Sequence, residues 1–180
     1  MKKIIGIIVI ILVIILASSI YLINNKNTKK EEKEIINKEN KKNTKVLTDK
    51  KYANINPKET TESEYSFDYN YDKEDDKDKT IVYVFYGEGC PKCESLFDQL
   101  DTDTVMKTKF VVRMYEVWNN EDNAKLMEKV AKYNNEKYEG KPYIIIGNKT
   151  WMGYKSSYYD EIIEEILNKP KYDISKELNF

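Results

Sequence analysis

The stretch TIVYVFYGEGCPKCESLFDQL, residues 80–100, decides the fold. Its first seven residues, Thr80 to Tyr86, are β-branched or aromatic almost throughout and stop at Gly87. That is the pattern of a strand buried on both faces. Its last eight, Cys93 to Leu100, place Leu96, Phe97 and Leu100 on one face of a helix. Between them lies Cys90-Pro91-Lys92-Cys93. Moving outward, Phe110 to Val117 predicts a second strand. Glu121 to Tyr133 predicts a helix with Ala124, Met127, Val130 and Ala131 inward, Leu126 on the flank, and Asn119 or Asn120 as N-cap. Tyr143 to Ile146 is a short strand closed by Gly147-Asn148, with Trp151 to Tyr154 as its hairpin partner. Tyr158 to Leu167 predicts a last helix with Ile162, Ile163, Ile166 and Leu167 inward, stopped by Asn168 and Pro170. The order is β-α-β-α-β-β-α. The first two strands, joined by a crossover helix, are expected to be parallel, and the last two antiparallel. The fold class is α/β.

Upstream of Thr80 the chain changes character twice. Ile4 to Ile23 is a run of twenty residues without charge, behind a cap of Met1, Lys2 and Lys3. Twenty helical residues span the ~30 Å hydrocarbon core of a bilayer. Residues 1–23 therefore predict an N-terminal anchor, transmembrane over about 4–23. Ala17-Ser18-Ser19 keeps a cleaved signal peptide open as the alternative, although the apolar run resumes at Ile20. The lysines on both flanks leave the charge rule for orientation undecided. A very short N-terminus followed by a long domain favours a single-pass cell-membrane protein with its domain extracytoplasmic. Residues 24–79 carry 14 Lys against 14 Asp plus Glu and few aliphatics. Such a composition cannot bury enough apolar area to offset chain entropy, so a charged, flexible linker is expected. Two local signals stand out within it. Lys29 to Lys42 could form a transient helix, and the alternating stretch from Glu64 to Tyr71 could add an edge strand. Residues 80–180 remain as the domain.

The whole chain of 180 residues has 30 Lys plus Arg, 31 Asp plus Glu, no His and two Cys. A balanced charge argues against nucleic acid as a partner. Without His there is no Ser-His-Asp triad, no Cys-His dyad and no His-ligated metal. Two cysteines cannot supply a four-thiolate zinc or iron–sulfur site within one chain.

The spacing of Cys90 and Cys93 is the positive signal. Positions i and i+3 of a first helical turn are close enough to share a disulfide. Cys90 would sit at the helix N-terminus, where unpaired N–H groups and the helix dipole favour a thiolate. Pro91 at the first helical position loses no hydrogen bond. Lys92, and Lys141 further on, would add positive charge beside Cys90. Cys93, one turn in, is placed to resolve a mixed disulfide. A structural disulfide over so small a loop would stabilise little. A two-thiolate metal site and an inert buried pair are the other readings of the same spacing.

The strand–CxxC–helix segment, together with Gly140-Lys141-Pro142-Tyr143-Ile144-Ile145-Ile146-Gly147, resembles the thioredoxin-like superfamily over about residues 80–170. The closest description is a membrane-anchored bacterial thiol-disulfide oxidoreductase with a compact thioredoxin- or glutaredoxin-like domain. The resemblance implies a redox-active Cys90–Cys93 pair, tuned by Pro91 and Lys92. It also implies a cis peptide before Pro142, facing the CxxC loop, with Lys141 and Pro142 contacting an extended substrate. Its implied partners are protein thiols or disulfides and a membrane redox donor or acceptor; no cofactor or metal is required. Two departures matter. Thioredoxins proper carry a buried acid where this chain has Val84, and several oxidising relatives carry His where it has Lys92. Only Trp118 to Lys141 separates the second strand from Pro142, too little for the helical insertion of the periplasmic oxidising branch. A membrane-tethered metal-thiolate or redox-inactive interaction module is the alternative function.

Overall fold

The computed structural model describes residues 41–61, 63–66 and 78–180. The expected anchor over 4–23 and most of the 29–42 helix lie outside these residues. Among the described residues, no helix is long and apolar enough to cross a membrane.

The protein is a mixed α/β structure. Strands β1 (Thr80–Tyr86), β2 (Phe110–Glu116), β3 (Tyr143–Ile146) and β4 (Lys149–Met152) form one sheet in the order β2-β1-β3-β4. β1 and β2 are parallel from Thr80 opposite Phe110 to Tyr86 opposite Glu116. β1 and β3 are antiparallel, with Val84 opposite Ile144. The helices are α1 (Pro91–Thr102), α2 (Glu121–Tyr133), α3 (Tyr159–Asn168) and the short α4 (Ile174–Leu178).

Strand alternation sorts the core into two layers. Val82, Val84, Val112, Met114, Ile144 and Ile146 face α1 and α3, meeting Leu96, Phe97, Leu100, Ile162 and Ile166. Tyr83, Phe85, Tyr115, Tyr143 and Ile145 face α2 and α4, meeting Leu126, Met127, Val130, Ile174 and Leu178. With helices on both faces, every residue of β1 from Val82 to Phe85 is buried, which is why its sequence shows no polar alternation.

Four expectations are corrected. Leu126 is fully buried at the centre of α2 rather than on its flank. Leu167 is 55% exposed, because one residue is a 100° turn away from inward-facing Ile166. The partner of β3 is Lys149–Met152, not Trp151 to Tyr154. Gly147, at φ +58°, and Asn148 form a two-residue turn that sets Ile146 opposite Lys149. The fourth concerns the supposed linker. The compact unit runs from Val46 to Phe180, so its boundary lies well before Thr80.

The segment upstream of β1 is held largely by polar contacts, which composition does not report. Tyr52 is buried, with the Lys132 ammonium 5.5 Å from its ring centre, and Lys51 pairs with Glu128 on α2. The buried Asn123 clamps one peptide unit: its Oδ1 accepts from Lys58 N at 2.8 Å and its Nδ2 donates to Lys58 O at 2.8 Å. Arg113 Nε and Nη2 donate to Glu59 Oε2 at 2.9 and 2.7 Å. Thr60 makes an antiparallel bridge to Met114 on the free edge of β2. The edge contact thus comes from Thr60, not from the Glu64 to Tyr71 stretch, of which residues 67–71 lie outside the described residues. We call residues 59–66 the strap.

Candidate functional site

The C-terminal ends of β1 and β2 and the start of β3 meet at the N-terminus of α1. Gly87 ends β1 under the indole of Trp118. A side-chain carbon added at Gly87 would lie 2.3 Å from two of the ring carbons, so only glycine lets the indole lie so close. Gly89 takes φ +72°, turning the chain towards the helix. The Cys90 N–H then donates to Gly87 O at 3.1 Å. Cys90 is the N-cap residue of α1 and Pro91 opens the helix. The Cys90 carbonyl accepts from Cys93 N at 2.9 Å and from Glu94 N at 3.0 Å. The two cysteines therefore share the first turn of a twelve-residue helix.

Their surroundings differ in degree. Cys90 is 6% exposed and Cys93 1%. Cys93 packs with Val84, Leu96 and Ile144 in the inner layer. Burial pushes the Cys93 thiol up to about 12, and its hydrogen bond with the Cys90 side chain pushes the same way. A backbone hydrogen bond at Gly87 and the charge of Lys141 oppose this. The position where thioredoxins carry a buried acid is filled by Val84, fully buried; no carboxylate figures among the groups that bear on Cys93.

The sequence-predicted residues fall into two groups. Cys90, Cys93, Lys141 and Pro142 come together: the peptide Lys141–Pro142 is cis, Pro142 is buried at the start of β3, and Lys141 acts electrostatically on Cys93. The Pro142 carbonyl accepts from Gly153 N at 2.7 Å. The loop before it is pinned by Glu136, which accepts from the Tyr143 hydroxyl at 2.6 Å and from Thr150. Pro91 and Lys92 sit in the same turn as the cysteines with exposed side chains. Among the described residues no group of three or more Cys, Asp or Glu side chains is gathered to hold a metal ion.

Sequence reasoning missed Trp118, 53% exposed beside the CxxC loop, and the strap. The Tyr65 ring lies 5.3 Å from that of Phe97, and Thr60 Oγ1 is 3.2 Å from the Tyr86 hydroxyl. Ser66 N donates to Asp101 Oδ1 at 2.7 Å. The strap so forms one wall of a groove of about 300 Å³ that reaches Cys93. The only sequence signal was the aromatic–acidic alternation around Tyr65.

No family model, no curated protein and no solved structure matches this chain.

Proposed function

We propose that residues 46–180 form a thioredoxin-like domain. In this reading the protein is a membrane-tethered, extracytoplasmic thiol-disulfide oxidoreductase that exchanges disulfides with protein substrates through Cys90 and Cys93. The observation that carries the proposal is the inequality of two thiols in one helical turn. Cys90 is the N-cap, where helix N–H groups and the dipole favour a thiolate. Cys93 is held as a thiol by burial. One cysteine is suited to attack and the other to wait. The sheet order, the cis peptide before Pro142 and its closeness to the pair also support the reading. The membrane tether rests on the apolar run at 4–23.

In the reducing direction the Cys90 thiolate attacks one sulfur of a substrate disulfide. A Cys90–substrate S–S bond forms, the substrate S–S bond breaks, and the departing sulfur leaves as a thiolate that takes a proton. Cys93 then loses its proton to solvent and its sulfur attacks Cys90. The Cys90–Cys93 bond forms and the second substrate thiolate is released. The substrate disulfide gains two electrons and the protein dithiol loses two. A dithiol donor of the membrane or its surroundings returns the pair to its starting state. In the oxidising direction the same steps run in reverse and a disulfide acceptor resets the pair.

The test is trapping. Cys93→Ser should accumulate a mixed disulfide with a model substrate disulfide, visible as a mass adduct on Cys90. Cys90→Ser should form none and should lack exchange activity. Exchange that survives in Cys90→Ser would rule the mechanism out.

A further inference from the structure

The groove beside Cys93 has a composition of its own. Its walls are the rings of Tyr65, Tyr86 and Phe97, with Tyr86 meeting Phe97 edge-on at 5.5 Å and Tyr65 tilted against it at 5.3 Å. Its rim carries three exposed glutamates from three different segments: Glu64 on the strap, Glu88 in the CxxC loop and Glu94 on α1. Glu88 Oε2 also accepts from Asn119 Nδ2 at 3.3 Å. Neither Lys92 nor Lys141 lines the groove, and no other lining residue is basic. An apolar, aromatic floor under a rim of one sign of charge is complementary to one kind of side chain: a long apolar stem ending in a cation, whose head stays at the wet rim while the stem lies on the rings.

We propose that this groove takes the residue next to the substrate cysteine and selects Arg or Lys there, so that the preferred substrates are polypeptides with a basic residue beside the reacting cysteine. The inference rests on the redox reading above. It gives the strap a task, because Glu64 and Tyr65 reach the groove only when residues 59–66 lie along β2 and α1.

Three short blocked peptides test it, identical except for Arg, Ala or Glu next to the cysteine, each presented as its symmetric disulfide to the reduced full-length protein. The expected order of exchange rates is Arg over Ala over Glu, with Arg ahead of Ala by about tenfold at low salt, the scale of a cation–π contact combined with ion pairing. That ratio should shrink at high salt, since the glutamates are exposed. The combined variant Glu64→Gln, Glu88→Gln, Glu94→Gln should bring the Arg-to-Ala ratio close to one. Equal rates for the three peptides, or a ratio untouched by the triple substitution, would overturn the selection while leaving the redox reading intact. No exchange with any peptide would overturn the redox reading, and this inference with it.

Discussion

Replacing Lys141 by Met removes the one side-chain cation that lowers the Cys93 pKa. The thiol should then be harder to ionise, and closure of the Cys90–Cys93 disulfide on a trapped mixed disulfide should slow by about three- to tenfold, as a shift of roughly half to one pKa unit requires. Lys141→Arg should restore the rate, and stopped-flow release of the second substrate thiol reads both. The raised Cys93 pKa also fixes a pH dependence. Because the attacking species is the thiolate, the closure step should accelerate with rising pH throughout the range below about 12. Stability moves the opposite way. The folded pKa lies above the ordinary thiol value of 9.0, so the folded state holds this proton more tightly than the unfolded chain. The resulting stabilisation of the reduced protein is complete below pH 9.0 and is lost as pH rises through about 12. Melting temperatures of reduced wild type and Cys93→Ala should therefore converge between pH 9 and 11; parallel curves would show that Cys93 is not buried as a thiol.

At the scale of elements, the strap depends on a few polar anchors. Burial works against the charge of Arg113, yet the hydrogen bonds from Glu59 hold its pKa above the usual value. Glu59→Gln should loosen the strap, at a cost of roughly 1.5–3 kcal/mol, the range for hydrogen bonds to charged groups. Faster amide exchange at Thr60, whose N–H donates to Met114 O at 2.8 Å, reports the loosening directly. Unchanged protection there would mean that Asn123 and Tyr65 suffice. The strap also marks where the sequence is hard to read. Strands β1 to β3, the first three helices and the CxxC turn follow from apolar periodicity and from Gly and Pro punctuation. They are legible because burial of Val82, Leu96 or Ile162 leaves a mark on residue type. Residues 46–61 bury little beyond Val46 and Tyr52. Their attachment through Asn123, Glu59 and Lys51 uses residue types that are equally common in solvated chain. The short α4 was missed for a similar reason: after Pro170 only Ile174 and Leu178 point inward. Trp118 was illegible because its partner is the absence of a side chain at Gly87, which no periodicity encodes.

For the molecule as a whole, the compact unit should need its upstream segment. A chain of residues 80–180 lacks Tyr52, the Lys58 peptide clamped by Asn123, and the partner of Arg113. It leaves a half-buried guanidinium unpaired and one edge of the sheet bare, both costly. It should melt several degrees below residues 46–180, since about 1 kcal/mol shifts the melting temperature of a domain this size by roughly 4 °C. Equal melting temperatures would show the strap to be a passenger on the fold. The central claim concerns the pair of cysteines. It is tested most directly by equilibrating the protein in dithiol–disulfide buffers of stepped potential and quantifying the Cys90–Cys93 disulfide at each. The account predicts one reversible two-electron transition, with a tenfold change in the oxidised-to-reduced ratio for about 30 mV, that vanishes in Cys90→Ser. A pair that stays dithiol, or stays disulfide, across the whole range accessible to such buffers would contradict it.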